Sequence, residues 1–198
     1  MSHGDITYSA RMGRWEPGAA GRLREAALEL YVAQGYEQTT VAEIAERAGV
    51  TARTFFRHFA DKREVLFSGS ELLQERMVAA VEAAPADAGP VEAVAAGLAA
   101  AAEMLGSNHA YSKRRHAVVT ANPELREREL IKMARLGEAL TVALTARGVA
   151  AADARLAAEA GIAVFRTGFE RWVAGPRSAE LATVLSDAMR QLRGLVAD

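Results

Sequence analysis

Two absences narrow the function of this chain of 198 residues before any motif is considered. No cysteine is present, which excludes disulfide scaffolds, thiolate metal sites and cysteine nucleophiles. Neither sign of charge is in excess, because 24 Lys and Arg residues nearly cancel 25 Asp and Glu residues. A protein that coats a polyanion through its overall charge is therefore excluded, and affinity for a polyanion must come from a local patch.

Long hydrophobic runs are also missing. The longest uncharged apolar run, Ala93 to Ala102, is bounded by glutamates and is shorter than the roughly 18 to 20 residues that cross a bilayer. The N-terminal segment lacks the basic-then-apolar order of a signal peptide. We therefore expect a cytoplasmic protein that has no membrane partner.

The apolar residues that are present follow a helical period. They recur at three- and four-residue steps, proline is scarce at 5 residues, and no run alternates β-branched residues. A hydrophobic content of 51% supplies a real core. The pattern predicts an all-α fold of about nine helices with a break at Pro85–Pro90. The predicted helices span residues 18–34, 40–49, 51–59, 61–81, 91–105, 110–121, 124–147, 151–174 and 178–196.

The segment from Thr40 to Phe59 reads as helix, tight turn and helix, a geometry that lays the second helix into a DNA major groove. Gly49 suits the positive φ of the turn. Phe55 and Phe59 lie four residues apart and are expected to face the core. The outer face then carries side chains able to contact bases and phosphates, namely Arg53, Thr54, Phe56, Arg57 and His58.

Charge is concentrated around this segment. Between Arg47 and Arg63, five cations oppose the single acid Asp61, which forms the local basic patch that DNA binding requires. Thr40 at a helix N-terminus and Lys62 beyond the second helix are candidate phosphate clamps. Arg11 and Arg14 either reach a minor groove or stay solvated. The alternative is that this segment is a small three-helix core whose charged side chains only face solvent and bind no DNA.

The stretch Thr39 to Ala45, followed by Gly49-Val50-Thr51 and by Arg53 to Lys62, resembles the N-terminal signature of TetR-family regulators. The polar, aperiodic residues 1–16 predict a flexible arm, and the resemblance implies a helix-turn-helix DNA-binding head (17–67) and a ligand-binding and dimerisation body (68–198). Phe56 stands where many relatives have tyrosine, so a hydroxyl contact to phosphate is lost there. Together with the exposed charge of Arg57, the predicted DNA-contact set is Thr40, Thr51, Arg53, Thr54, Phe56, Arg57, His58 and Lys62.

The second half resembles the branch of that family described as having an acyl-CoA-like ligand domain. The similarity rests on Asn122 to Arg128, on Arg155-Leu156-Ala157-Ala158 and on Phe165 to Trp172. It implies a pocket for an acyl-CoA or another amphipathic compound. Candidate pocket residues are the apolar Met104, Met133, Phe165 and Phe169 and the cationic Arg114 and Arg115. The alternative for the methionines and phenylalanines is that they belong to the ordinary hydrophobic core, and the alternative for the arginines is that they lie on a solvent-exposed helix face.

The last two predicted helices carry several apolar stripes. The helix at 178–196 has one continuous stripe, whereas the helix at 151–174 has a stripe of large residues and a small-residue stripe formed by Ala157, Gly161, Val164 and Gly168. A helix with two apolar faces needs two partners, and a four-helix dimer interface supplies the second. Burial within a single bundle is the alternative. The predicted dimer-interface residues are Val164, Gly168, Leu181, Val184, Leu185, Ala188 and Leu192.

These patterns favour a ligand-responsive transcriptional regulator over an enzyme. His109 and His116 have no third ligand at a recognisable spacing, and we expect no catalytic residue, metal or cofactor. We expect a repressor that binds a pseudo-palindromic double-stranded operator as a homodimer and is released by a small amphipathic effector. The alternative is a helical small-molecule-binding protein whose head docks a protein partner.

Overall fold

The computed structural model describes residues 18–197, and the predictions for the arm, including Arg11 and Arg14, lie outside them. The described residues form α- and 3-10 helices without a strand, which confirms the predicted all-α fold. None of these helices is both long and apolar enough to cross a membrane. The α-helices are α1 (Ala19–Gln34), α2 (Val41–Arg47), α3 (Ala52–His58), α4 (Ser70–Glu82), α5 (Pro90–Leu105), α6 (His109–Ala121), α7 (Pro123–Ala146), α8 (Ala151–Ala174) and α9 (Leu181–Ala197).

Most helix boundaries follow from local chemistry. Pro90 and Pro123 begin α5 and α7, because a proline in the first turn forfeits no intrahelical hydrogen bond. Gly35 follows α1 with a φ of 90°, in the region that favours glycine. The predictions place these helices within one or two residues of their observed ends.

The predicted helix at 61–81 is wrong as a single element. A 3-10 helix at Glu64–Phe67 precedes α4, which begins only at Ser70. Asp61 does accept backbone N–H groups, from Arg63 at 2.8 Å and from Glu64 at 3.0 Å. The Glu64 carboxylate, however, turns towards α7, where it pairs with Arg128 and Lys132, so Asp61 and Glu64 do not form the reciprocal capping box that would begin a helix here. The last helix likewise begins at Leu181 and not at residue 178.

Two hydrophobic cores organise the chain. The head core contains residues of α1, α2, α3 and the 3-10 helix, and the body core joins α4, α5, α7, α8 and α9. The head core also includes Val118 and Val119 from α6 and Leu125 from α7. The helix pair α6–α7 therefore packs into the head although it lies beyond the predicted boundary at residue 67.

Candidate nucleic-acid interface and effector cavity

Helix α3 presents one buried and one exposed aromatic face. Phe55 is fully buried and Phe59 nearly so, which confirms the predicted core pair. The neighbouring Phe56 is 59% exposed. Arg53, Arg57 and His58 are exposed on the same outer surface. The head core thus fixes the helix through Phe55 while leaving the opposite face for a partner.

The turn that orients α3 is tightly bonded. Gly49 has a φ of +66°, and the N–H of Val50 donates to the carbonyl of Ala45 at 2.9 Å. Thr51 caps α3, because its hydroxyl accepts the N–H of Thr54 at 3.2 Å. The hydroxyl oxygens of Thr51 and Thr54 lie 3.1 Å apart, so both side chains are held at the start of the helix.

Thr40 forms a reciprocal capping box at the start of α2. Its hydroxyl accepts the Glu43 N–H at 3.2 Å, and its backbone N–H donates to the Glu43 carboxylate at 2.8 Å. Hydrogen bonds from the Thr40 backbone, the Thr40 hydroxyl and Gln34 lower the pKa of Glu43. The Thr40 hydroxyl is therefore already bonded, and its predicted phosphate contact stays a prediction.

Lys62 closes the loop between α1 and α2. Its ammonium group donates to the carbonyl oxygens of Tyr36, Glu37 and Thr39 at 2.9, 3.3 and 3.2 Å, and lies 4.3 Å from the centre of the Tyr36 ring. The Tyr31 hydroxyl donates to the Lys62 carbonyl at 2.6 Å. Lys62 is thus placed beside the candidate interface in a structural role, and its phosphate contact is likewise still a prediction.

The remaining cations of the basic patch divide into two groups. Arg47 pairs with Glu29 at 3.1 Å, and Arg63 pairs with Asp61 and Glu124, each at 2.8 Å. Within residues 18–197, Arg53 and Arg57 have no carboxylate partner. The uncompensated positive charge therefore lies on the outer face of α3.

A cavity of about 870 Å³ lies where the head meets the body. Its walls come from α1, the 3-10 helix and the start of α4, and from α5, α6, α7 and α8. Five of the six predicted effector residues line it, namely Met104, Arg115, Met133, Phe165 and Phe169. This size and mixture of apolar and polar walls are typical of small-molecule sites.

Arg114 is the exception and corrects the prediction. It does not line the cavity but donates to the carboxylate of Glu25 in α1 at 2.6 Å. Successive residues of an α-helix point about 100° apart, and here Arg114 is turned towards Glu25 of α1 while Arg115 faces the cavity. Because helical spacing alone leaves open which of two adjacent residues faces inwards, the sequence did not decide between them.

Arg115 connects the cavity with the head. Its side chain is 18% exposed, donates to the Leu66 carbonyl at 2.8 Å and pairs with Glu129 at 3.0 Å. The guanidinium also lies 5.0 Å from the centre of the Phe67 ring. Leu66 and Phe67 both belong to the head core. A change at Arg115 therefore acts directly on the end of the head.

The polar cavity residues that the sequence analysis missed include Tyr111, Ser112 and His116 of α6. The available signal was their spacing, since Ser112, Arg115 and His116 are three and four residues apart in a predicted helix and share one face. We refer to Tyr111, Ser112, Arg115 and His116 as the α6 strip. Burial raises the pKa of Tyr111, so its hydroxyl stays protonated at neutral pH.

The predicted dimer interface needs correction. Its residues Val164, Gly168, Leu181, Leu185 and Ala188 are buried within the single chain. A Cβ added at Gly168 would meet Leu185 at 2.6 Å, and one added at Gly161 would overlap Val94. The small-residue stripe of α8 therefore packs against α9 and α5 of the same chain and is not available to a second copy. Of the predicted set, only Val184 and Leu192 are partly exposed.

Comparison with known proteins supports both halves of the chain. The pattern described as "Bacterial regulatory proteins, tetR family" matches residues 23–68, and the pattern of the MftR C-terminal domain matches residues 88–197. The HTH-type transcriptional regulator TcmR of Streptomyces glaucescens is 51% identical over 72 residues, which cover 36% of this chain but only 31% of TcmR. An uncharacterized HTH-type transcriptional regulator of Mycobacterium bovis, Mb2274c, is 30% identical over 138 residues, covering 68% of this chain and 71% of that one.

Solved structures extend the similarity to the whole fold. The regulator FadR from Bacillus subtilis, solved with stearoyl-CoA, aligns with a TM-score of 0.62 at 23% identity over 86% of this chain and 96% of that one. FadR from Thermus thermophilus, described as a repressor in complex with lauroyl-CoA, aligns with a TM-score of 0.54 at 26% identity over 87% and 92% of the two chains. With both of its halves matched, the chain belongs to the TetR family of bacterial transcriptional regulators.

Proposed function

We propose that the protein is a ligand-responsive repressor that binds a pseudo-palindromic operator as a homodimer and is released by a small amphipathic effector. The observation that carries the proposal is the outer face of α3, where Arg53 and Arg57 are exposed and lack carboxylate partners within residues 18–197. A helix fixed from behind by a buried Phe55 and bearing unpaired arginines in front suits a major groove.

DNA binding should weaken steeply with salt and depend on Arg53. We expect Arg53→Ala to reduce the affinity for operator DNA by about 1–3 kcal/mol, because a base or phosphate contact is removed from an exposed site. Arg155→Ala is the matched control, since Arg155 is also exposed but lies in α8. The measurement is fluorescence anisotropy with a duplex selected from a random library, at several salt concentrations.

The salt series separates the proposal from its alternative. Each phosphate contact releases counterions, so the logarithm of the binding constant should fall linearly with the logarithm of salt concentration. A head that docks a protein partner need not bind duplex DNA in this way. Selection that enriches no duplex sequence, or equal affinities of Arg53→Ala and Arg155→Ala, would contradict the DNA-reading role of α3.

The effector cavity is well placed for control of the head. Helix α6 lines the cavity through the α6 strip and enters the head core through Val118 and Val119. A ligand that favours one position of α6 changes the population of head orientations in proportion to its differential affinity. Reciprocity requires DNA to weaken the effector by the same factor. The acyl-CoA complexes of the two FadR proteins support an acyl-CoA or a similar amphipathic compound as the effector class.

The homodimer is expected to form through the outer faces of α8 and α9. Leu156 in α8 and Leu195 in α9 are 72% and 71% exposed, and they replace the buried residues of the first prediction as interface candidates. Gly168 of α8 packs on Leu185 of α9, so the helices run antiparallel and bring these leucines to the same end.

We expect the double variant Leu156→Glu, Leu195→Glu to shift the protein from dimer to monomer, because introduced charges are costly in an apolar interface. Val142→Glu is the matched control, since Val142 is 70% exposed but lies in α7. Analytical ultracentrifugation gives the masses. A double variant that remains as dimeric as the control would remove these faces from the interface.

A further inference from the structure

We propose that the α6 strip is an internal binding site for an anionic oxygen group, and that the effector places a carboxylate or phosphate against it while its apolar body packs on α8. This inference rests on the proposed function, because it names the chemistry of the effector in the same cavity. It goes further by assigning roles to Tyr111, Ser112 and His116 and by placing an anionic end of the ligand against α6.

Ser112 supplies the first argument. It is 6% exposed and lines the cavity, yet its hydroxyl bonds to no residue of 18–197. Within those residues, every side-chain nitrogen or oxygen that is fully inaccessible to solvent has a hydrogen-bond partner. The Ser112 oxygen therefore opens onto the cavity, where it is available to donate to a ligand. A hydroxyl that faces a cavity without a protein partner can hydrogen-bond to a ligand oxygen without breaking a bond within the protein.

Arg115 supplies the second argument. Its guanidinium has five N–H groups, and the protein bonds use the Nε for the Leu66 carbonyl and one terminal nitrogen for Glu129. The other terminal nitrogen donates to no protein group within the described residues and is left for a ligand oxygen. Glu129 bonds to this guanidinium at 3.0 Å, so a carboxylate oxygen can reach it, as in other arginine–carboxylate pairs.

The neighbouring charges and rings complete the site. The cavity is lined by five Lys and Arg residues against three Glu residues, two of which, Glu25 and Glu129, are already paired with arginine. His116 adds a ring whose nitrogens bond to no described residue, and it contacts Phe169 at 6.0 Å between ring centres. Phe165 and Phe169, also 6.0 Å apart, form the apolar wall opposite. The excess of positive charge favours an anion over a neutral polar group.

The same contacts of Arg115 explain how ligand binding in the cavity affects the DNA-binding head. An anionic oxygen at the unused terminal nitrogen of Arg115 adds a third acceptor to a guanidinium that already bonds to Glu129 and to the Leu66 carbonyl. The new attraction shifts the guanidinium relative to the Leu66 carbonyl and the Phe67 ring. Both of these residues lie in the head core, so the ligand loosens a direct contact between cavity and head. Arg115 is thus both a ligand contact and a positioning residue for the head.

The test is calorimetric titration of the full chain with four probes kept below their micelle-forming concentrations: dodecanoate, dodecanol, lauroyl-CoA and CoA. We expect dodecanoate to bind at least about tenfold more tightly than dodecanol, because charged hydrogen bonds are gained at equal chain length. Ser112→Ala and Arg115→Gln should each reduce dodecanoate affinity by roughly ten- to a hundredfold and leave dodecanol nearly unchanged. Lauroyl-CoA distinguishes a carboxylate from a phosphate as the bound anion. If a phosphate binds the α6 strip, Ser112→Ala and Arg115→Gln should reduce the affinity for lauroyl-CoA as they reduce that for dodecanoate.

Matched controls are Ser107→Ala and Lys113→Gln, because neither residue lines the cavity and the exposed Lys113 has no carboxylate partner within residues 18–197. Thermal unfolding checks that each variant is folded, and Ser112→Ala keeps the test valid if Arg115→Gln is unstable. Equal wild-type affinities for dodecanoate and dodecanol, or unchanged affinity in both strip variants, would overturn the anion site while the ligand-responsive regulator stands. Failure of all four probes would overturn the site together with the acyl effector, whereas DNA binding is decided separately by the salt series.

Discussion

Phe55→Ala should destabilise the protein by about 3–5 kcal/mol, the range for removing a large aromatic side chain from a close-packed core. Phe55 is fully buried, and its ring packs against Phe56 and Phe59 at 5.4 and 5.5 Å between centres. Since the head core is small, it has few residues that can move into the space left behind. Urea denaturation followed by circular dichroism measures the loss of stability.

Phe56→Ala is the matched control at the adjacent position. Because Phe56 is 59% exposed, its truncation should change stability by only about 0.5 kcal/mol, as at other surface sites. The two variants should therefore lose DNA binding for different reasons: Phe55→Ala through unfolding of the head, and Phe56→Ala through a lost contact on a folded one. Equal stability of the two variants would contradict the orientation of α3 in which Phe55 faces the core and Phe56 faces solvent.

Hydrogen exchange adds a second observable to this pair. Val118, Val119 and Leu125 pack into the head core, so unfolding of the head should also expose α6 and the start of α7. The amides of α8 and α9 belong to the other core and should stay protected. Protection lost in α6 but kept in α8 would support the continuity between cavity and head on which effector control depends.

The sequence predicted the head well because its signals are local. The capping threonines, the turn glycine and the four-residue spacing of Phe55 and Phe59 lie close together in the chain, and each has a direct structural consequence. The break before α4 was missed, because it depends on Glu64 binding Arg128 and Lys132 in α7. A contact between residues so far apart leaves no trace in local periodicity.

The body shows the same limit more strongly. Periodicity identified the apolar and small-residue stripes of α8 and α9 but not the partner of each stripe. Gly168 was assigned to a second copy of the chain, whereas it packs on Leu185 of the same chain. A stripe of small residues indicates close approach of some helix, and only three-dimensional packing identifies which helix approaches.

Gly161→Ala provides a direct test of this assignment. A Cβ at residue 161 would overlap the Cγ1 of Val94, which is 1% exposed in α5. Valine in a helix has one strongly preferred rotamer, so Val94 cannot easily turn away. We expect a loss of about 1–3 kcal/mol from overpacking, measured by urea denaturation. Gly194→Ala is the control: no atom lies within 4 Å of its added Cβ, and the gain in helix propensity should stabilise α9 by up to about 1 kcal/mol.

A double-mutant cycle identifies Val94 as the cause. Val94→Ala removes the atom that the new Cβ meets, so Gly161→Ala should cost much less in that background than in the wild type, and the two changes should not be additive. Because the contact lies inside one chain, Gly161→Ala should also keep the sedimentation mass of the wild type, unlike Leu156→Glu, Leu195→Glu. A Gly161→Ala variant that is fully stable but monomeric would instead indicate that the small-residue stripe of α8 contacts a second copy of the chain.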